Sequence, residues 1–253
     1  MNAPARRQLC LEHLAAQGEI SVAELSRVAE VSEMTIRRDL EMLEREGLLK
    51  RVHGGAISRA SRGYEPPFAL RAGRDEDAKA RIGRLAATLV SENETLVIDV
   101  GTTTLALAAN LVGASGLTIV TPSLRAAEVL MADGELRVIV TGGITRAGER
   151  SLIGDLAERA FDELHCDTVF LGSGGVDVAA GVTEFNLEDT RVKRAALKSA
   201  RRCVVLADAS KLGKVALASV CPLERVDVLV TDGSASEEAL APIRESGVEV
   251  LTA

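Results

Sequence analysis

The chain has 253 residues, 47% of them apolar and 26% charged, with a formal net charge of −7. That length fits one large domain or a small one joined to a larger one, and no apolar run approaches the roughly 20 residues needed to span a bilayer. Arg6, Arg7, Gln8, Glu12 and His13 break up the N-terminus where a secretory leader would keep an apolar core, so a cytoplasmic protein is expected. The acidity is shared unevenly: residues 1–60 carry nine Lys/Arg and nine Asp/Glu, the remainder 21 and 28.

A first helix is expected over about residues 3–16, stopped by Gly18. Ser21-Val22-Ala23-Glu24 has the form of a capping box, in which Ser21 accepts from an amide at the helix start and Glu24 reaches back. The helix that follows places Leu25, Val28 and Ala29 on one face by their i, i+3, i+4 spacing. Ser32 then caps a third helix, with Ile36, Leu40 and Leu43 as its buried stripe and Gly47 as its left-handed stop. Arg37 and Arg38 lie about 100° and about 200° around the helix from Ile36, so neither points into the stripe. Asp39 is expected to serve an arginine as a local partner. Residues 48–53 and 56–58 read as two short strands turned by Gly54-Gly55.

Three helices and a basic hairpin in this order describe a winged helix-turn-helix, a module that holds DNA. Between Leu48 and Gly63, Lys50, Arg51, Arg59 and Arg62 meet no acid, and attraction to phosphate depends on such local placement. In this reading the third helix enters the major groove, with Ser32 and Thr35 at phosphate or base edges and Arg37 and Arg38 at guanine or phosphate. Arg51 and His53 bring the wing to the backbone or minor groove, although His53 serves nearly as well as a turn residue. Base readers and phosphate anchors are not separable at this level. A competing reading is a small helical oligomerisation module whose arginines pair with Glu33, Glu41 or Glu44. It leaves the basic hairpin unexplained.

Gly63, Pro66 and Pro67 mark residues 61–74 as a linker, which sets the expected domains at 1–60 and 75–253. A polar helical stretch over residues 68–90 leads into the second domain. Apolar strand-like runs then recur at 96–99, 117–121, 136–141, 168–172, 203–207, 226–231 and 248–251, most of them followed by alanine- and leucine-rich helical segments. Strands that are apolar throughout and alternate with helices give an α/β domain with a mostly parallel sheet covered on both faces. Cys10, Cys166, Cys203 and Cys221 are scattered without metal-type spacing and read as small core thiols.

Chemistry gathers at the strand ends. Asp99-Val100-Gly101-Thr102-Thr103-Thr104 follows a strand and opens a helix, where glycine and small hydroxylated residues let backbone amides approach an anion. Thr121-Pro122-Ser123, Thr141-Gly142-Gly143 and Gly172-Ser173-Gly174-Gly175 occupy what read as similar strand-to-helix positions. Carboxyl ends of neighbouring parallel strands share a crevice, so these loops can line one phosphate pocket, although each glycine alone is usually steric. Lys193 and Lys211 are then candidate cations, with Asp99, Glu184 and Asp208 for sugar hydroxyls or for orienting the lysines. The plainer reading of Lys193 is a solvated cation beside Arg191 and Arg194. The glycine spacing of a dinucleotide site is not met, which weighs against a nucleotide or redox sensor. No cofactor or metal is expected.

Ser32-x-x-Thr35-Ile36-Arg37-Arg38-Asp39-Leu40 and Arg51-Val52-His53-Gly54-Gly55-Ala56 resemble the DNA-binding module of the DeoR family of bacterial transcriptional regulators. Asp99-x-Gly101-Thr102-Thr103, Thr141-Gly142-Gly143, Gly181-Val182-Thr183, Val192-Lys193-Arg194 and Asp208-x-Ser210-Lys211 resemble its C-terminal sensor domain, so the resemblance spans nearly the whole chain. It implies a sensor domain similar in fold to ribose-5-phosphate isomerase and glucosamine-6-phosphate deaminase. It also implies a repressor of carbohydrate genes, released or more rarely assisted by a phosphorylated sugar or related metabolite. A homo-oligomer, dimer or tetramer, on paired half-sites of double-stranded operator DNA is implied as well. Glu184-Phe185-Asn186 falls where ligand-specific variation is expected. The alternative is an active sugar-phosphate isomerase or deaminase with a DNA-binding appendage, and fold does not transfer catalysis.

Overall fold

The computed structural model describes all residues except 1, 59–61, 63–64 and 133, and gives backbone alone at 15–17 and 58. Contacts divide the chain into two compact units, Met1–Tyr64 and Glu65–Ala253. In the first, α1 (Ala3–Gln17) starts at Asn2, whose side chain accepts from the Ala5 amide, and ends at Gly18 with φ 77°. β1 (Glu19–Ser21), α2 (Val22–Ala29) and α3 (Glu33–Arg45) follow, then β2 (Leu49–Val52) and β3 (Gly55–Ser58). Ile36, Leu40 and Leu43 are buried as the spacing requires, Ser32 caps α3, and Gly47 takes φ 76°.

Three local expectations for this unit need correction. The box at Ser21 and Glu24 does not close, because Ser21 makes no side-chain cap. Ser21 also ends a strand, and the first amide of α2, that of Val22, donates instead to the Gly54 carbonyl at 2.9 Å. Val28 is 47% exposed, so the inner face of α2 is Val22, Leu25 and Ala29. The wing is a three-stranded antiparallel sheet in the order β1-β3-β2, because residues 19–21 pair with β3. Gly54 turns the hairpin at φ 82°, whereas Gly55 opens β3 and packs so closely on the Ile20 carbonyl that a Cβ would overlap it.

Asp39 interrupts the apolar stripe of α3 yet is buried. Its carboxylate accepts from the Arg6 guanidinium through Nε and Nη2, tying α1 to α3. The expected local partner is therefore found 33 residues away rather than on the same helix.

In the second unit the stretch expected as one helix from residue 68 to 90 is two, α4 (Phe68–Gly73) and α5 (Glu76–Ala87). Asp75 breaks it at φ 50°, and the buried Lys79 ammonium donates to the Arg71 and Arg74 carbonyls that the break leaves open. Residues 65–73 thus belong to this unit, and the expected linker shrinks accordingly; residues 61, 63 and 64 lie outside the described residues. The chain continues through β4 (Thr95–Ile98), α6 (Thr102–Asn110), β5 (Thr118–Thr121), α7 (Leu124–Leu130), β6 (Arg137–Val140), β7 (Ile144–Arg146), β8 (Ser151–Ile153) and α8 (Asp155–Arg159). It ends through β9 (Cys166–Gly172), β10 (Gly175–Asp177), β11 (Gly181–Glu184), α9 (Leu187–Ser199), β12 (Ala200–Leu206), β13 (Ala218–Cys221), β14 (Val228–Thr231), α10 (Glu237–Glu245) and β15 (Glu249–Thr252).

Each of the seven apolar runs supplies one strand of a parallel sheet ordered β15-β14-β12-β9-β4-β5-β6. Alternate residues of its central strands feed two cores. Val169, Leu171, Cys203 and Val205 pack with Val192 and Ala196 of α9, whereas Phe170, Val204 and Leu206 pack with Ile82 of α5 and Leu107 of α6. That two-sided burial is why these runs carry no polar alternation. All four cysteines are free and buried, Cys203 within β12. No helix among the described residues is long and apolar enough to cross a membrane.

Replacing Asp39 by Ala would remove the buried carboxylate that ties Arg6 of α1 to α3. An Asp39→Ala variant is expected to lose about 3–5 kcal/mol of stability in the first unit, read by denaturant unfolding followed with an N-terminal probe.

Candidate functional site

The outward face of α3 carries Ser32, Thr35, Arg37 and Arg38. The Ser32 hydroxyl accepts from the Thr35 amide and lies 2.9 Å from its Oγ1. Arg37 donates to Glu33 at 3.0 Å with both side chains about half exposed, and Arg38 is exposed without an ion pair among the described residues. On the wing, Arg51 pairs with Glu41 at 2.5 Å and Glu44 at 3.3 Å, while its amide donates to Glu44 at 2.9 Å. These are the pairs the oligomerisation reading anticipated, but exposed pairs contribute little and yield readily to a stronger anion. Lys50, His53 and Arg62 are exposed, and Arg59 lies outside the described residues.

In the second unit, the carboxyl ends of β4, β9 and β12 adjoin one another. Gly101, at φ 142°, leads into α6, whose N-terminus has no side-chain cap. The amides of Thr102, Thr103 and Thr104 make no hydrogen bond among the described residues; Thr103 and Thr104 are buried, and Thr104 donates its hydroxyl back to Gly101. Uncapped first-turn amides carry the positive end of the helix dipole. On the neighbouring strand end the Ser173 hydroxyl is buried and has no hydrogen-bond partner among the described residues.

Lys193 is 1% exposed, donates to Asp99 and to the Gly172 carbonyl at 3.1 Å, and forms an ion pair with Glu184 at 3.2 Å. The ammonium is thus enclosed by two carboxylates and a carbonyl. The solvated reading of Lys193 is therefore overturned, because α9 turns this position into the sheet while Arg191 and Arg194 face outward. Burial alone would pull the Lys193 ammonium down, but Asp99 and Glu184 outweigh it and raise its pKa. Burial pushes the Asp99 carboxyl up to about 6 against the pull of Lys193. Asp99 also accepts from the Gly172 amide, and Glu184 from the Phe185 amide at 2.7 Å.

Lys211 contrasts with Lys193. No carboxylate or other acceptor holds its ammonium among the described residues; it stands 5.4 Å from the centre of the Phe185 ring, and burial lowers its pKa. The buried Asp208 caps the turn at Ala209–Lys211 by accepting from the Ser210 amide. Ser173 and Phe185 fall within the 172–175 loop and the 184–186 segment that the sequence marked, whereas Asp232, which accepts from the Ala209 amide at 2.8 Å, was not singled out by sequence. Spacing alone carries no signal for Asp232.

The glycine loops divide. Residues 141–143 lead into β7 and residues 172–175 into β10, so neither opens a helix as expected. Gly175 lies in β10 under the Lys214 carbonyl, where a Cβ would overlap, and a Cβ at Gly143 would lie 2.6 Å from the Ile153 carbonyl oxygen. Sterics explain both glycines. Gly142, at φ 74°, is exposed and has open space around its Cβ position. Thr121 and Ser123 are engaged internally, Thr121 donating to the Ile98 carbonyl and Ser123 capping α7.

A winged helix joined in one chain to a parallel α/β unit with an anion-type crevice defines a DNA-binding regulator with a sensor domain. Residues 6–62 match the family model of the DeoR-like helix-turn-helix domain, and residues 74–233 that of the DeoR C terminal sensor domain. The chain is 37% identical over 251 residues to the HTH-type transcriptional regulator GolR of Listeria innocua, with 99% of each chain covered. It is 33% identical to the glycerol-3-phosphate regulon repressor of Escherichia coli K12, covering 100% of this chain and 96% of that one. A putative aga operon transcriptional repressor of Escherichia coli O157:H7 is 29% identical, over 97% and 92% of the two chains. The chain belongs to the DeoR family and is a DNA-binding transcriptional regulator. Ribose-5-phosphate isomerase A of Methanocaldococcus jannaschii superposes with a TM-score of 0.41 at 18% identity over 54% of each chain, too slight a likeness to carry an argument.

Removing the Lys193 charge would leave two carboxylates confined without a cation. Lys193→Met is expected to cost about 3–5 kcal/mol at neutral pH. Burial already raises the Asp99 pKa, losing Lys193 removes the pull that holds it down, and a raised carboxylate pKa adds stability as pH falls. The deficit should therefore shrink as pH is lowered from neutral, which urea melts across pH would show.

Proposed function

We propose that this regulator is a repressor of carbohydrate genes whose operator binding is controlled by a phosphorylated sugar or related metabolite held at the sheet end. The observation that carries the reading is the uncapped N-terminus of α6 at the same sheet end as Lys211, an ammonium without an ion pair or hydrogen bond among the described residues. Gly101 and the amides of Thr102, Thr103 and Thr104 would receive the phosphate, with Lys211 as its cation. Asp99, Glu184 and Asp208 would face the hydroxyls. Lys193, buried and held by Asp99, Glu184 and the Gly172 carbonyl, is better cast as the group that fixes Asp99 and Glu184 than as a phosphate ligand. Gly142 would shape the rim, while Gly143 and Gly175 would act through packing.

At the other unit, α3 would enter the major groove, with Ser32, Thr35, Arg37 and Arg38 at base edges and phosphates and Arg51 and His53 on the wing. The names of two relatives support control of metabolic genes, one a glycerol-3-phosphate regulon and the other an aga operon. A homo-oligomer in the cytoplasm, placing two such modules on paired half-sites, completes the proposal. An isomerase or deaminase role is disfavoured: Asp99 and Glu184 are bound by Lys193, and the relatives are named as regulators.

A melting screen of phosphorylated sugars, polyols and nucleotides tests the sensor. A ligand at ~100 times its dissociation constant adds about 2.7 kcal/mol, and Lys211→Ala is expected to abolish that gain; a retained gain would clear Lys211. For DNA, the Arg37→Ala/Arg38→Ala double variant should lose about 1–3 kcal/mol per bidentate base contact at fixed salt, with ligand-induced melting shifts intact. Unchanged affinity would remove α3 from the reading role.

A further inference from the structure

Glu65 is the first residue of the second unit, the point from which the chain runs back to the DNA-binding unit. Its carboxylate is divided between two arginines: Oε1 forms an ion pair with Arg71 at 3.0 Å and Oε2 one with Arg146 at 3.0 Å. Arg71 also donates to Glu149 and to the Pro66 carbonyl, and Arg146 forms an ion pair with Asp189 at 2.5 Å. None of these five side chains is more than 21% exposed. Three acids against two bases leave the group with one negative charge in excess. Burial raises the pKa of both Glu65 and Asp189.

Such a group is a poor source of stability, since apolar packing of similar volume does as well or better. Its placement gives it another use. Asp189 stands in the first turn of α9, one turn before Lys193, which grips Asp99, Glu184 and the Gly172 carbonyl. A second route runs through the backbone: the Arg71 carbonyl accepts from Lys79, and Asp208, beside Lys211, acts electrostatically on that ammonium. Two routes of ion pairs and hydrogen bonds, each completed by an electrostatic link rather than a contact, therefore run from Glu65 toward the sheet end. A phosphate arriving beside Lys211 adds negative charge within electrostatic reach of Arg71, the base that Glu65 shares with Glu149.

We infer that Glu65 is the coupling anchor of this regulator. Arg71 and Arg146 hold it while the crevice is empty, and an anion in the crevice weakens that hold, freeing the chain that leads to the DNA-binding unit. The ligand acts because it favours the state in which the anchor is released, the differential affinity that any switch requires. This inference rests on the proposed phosphate site.

Amide hydrogen exchange on the full chain, with and without saturating inorganic phosphate, tests it. In the unmodified protein, phosphate should protect residues 101–105 and speed exchange over residues 65–73 by about tenfold or more, a local opening without global unfolding. Glu65→Gln, which keeps the shape and removes the charge, should show the faster exchange over 65–73 without phosphate and no further change with it. Residues 101–105 should still be protected in that variant. Glu65→Asp should behave like the unmodified chain. Protection of 101–105 with no change over 65–73 would overturn the anchor alone and leave the phosphate site standing. Absence of protection at 101–105 would overturn both. Equal exchange in Glu65→Gln and the unmodified chain without phosphate would also sink the anchor, and unaltered exchange in β9 and β12 separates release from misfolding.

Discussion

Lys193 sits inside the protein where three strand ends and a helix meet, and its ammonium organises all of them. Asp99 follows β4, Gly172 ends β9, Glu184 ends β11, and Lys193 itself comes from α9. Taking a charge out of water is unfavourable by several kcal/mol, so it persists only where partners answer every proton. Here two carboxylates and a carbonyl surround the ammonium, and they in turn fix the loops that begin at Val100 and Phe185. The crevice is therefore shaped by an internal charge cluster that is complete before any ligand arrives. Among the described residues, the first amides of α6, the Ser173 hydroxyl and the Lys211 ammonium around it have no hydrogen-bonding partner, and on the proposed reading these are the groups an anion would meet.

The first unit uses the same device on a smaller scale. Asp39 occupies an inward position of α3 among leucines and is held by Arg6 from α1, so the helix is set in rotation as well as in place. With Ile36, Leu40 and Leu43 inward, Arg37 and Arg38 are carried to the surface. The wing is braced against the same helix through Arg51, Glu41 and Glu44.

The parallel sheet was legible because both of its faces are buried, and strands of that kind appear as continuous apolar runs. The three helices were legible from spacing and from stops such as Gly18 and Gly47. Short strands at 144–146, 151–153, 175–177, 181–184 and 218–221 escaped, since three to four residues of mixed polarity carry no period. Glu19–Ser21 joined the wing only because a distant strand pairs with it. Among the site residues, Asp99 and Gly101 to Thr104 were visible as a strand end opening a helix. The placement of Lys193 was not, because its partners Asp99 and Asp39's partner Arg6 alike lie tens of residues away in sequence. Glycines 143 and 175 look like anion loops in one dimension and prove to be points where backbones nearly touch.

The acids beside Arg37 and Arg51 have a kinetic meaning for a protein that must find one stretch of a genome. Glu33, Glu41 and Glu44 already answer those guanidiniums in the free protein, and residues 1–60 balance nine positive against nine negative charges. On the proposed reading, a phosphate or base edge would have to displace these carboxylates before Arg37 or Arg51 could engage it, which would lower the attraction of those two arginines for random duplex. Arg38, exposed and without an ion pair among the described residues, would be open to DNA without such an exchange.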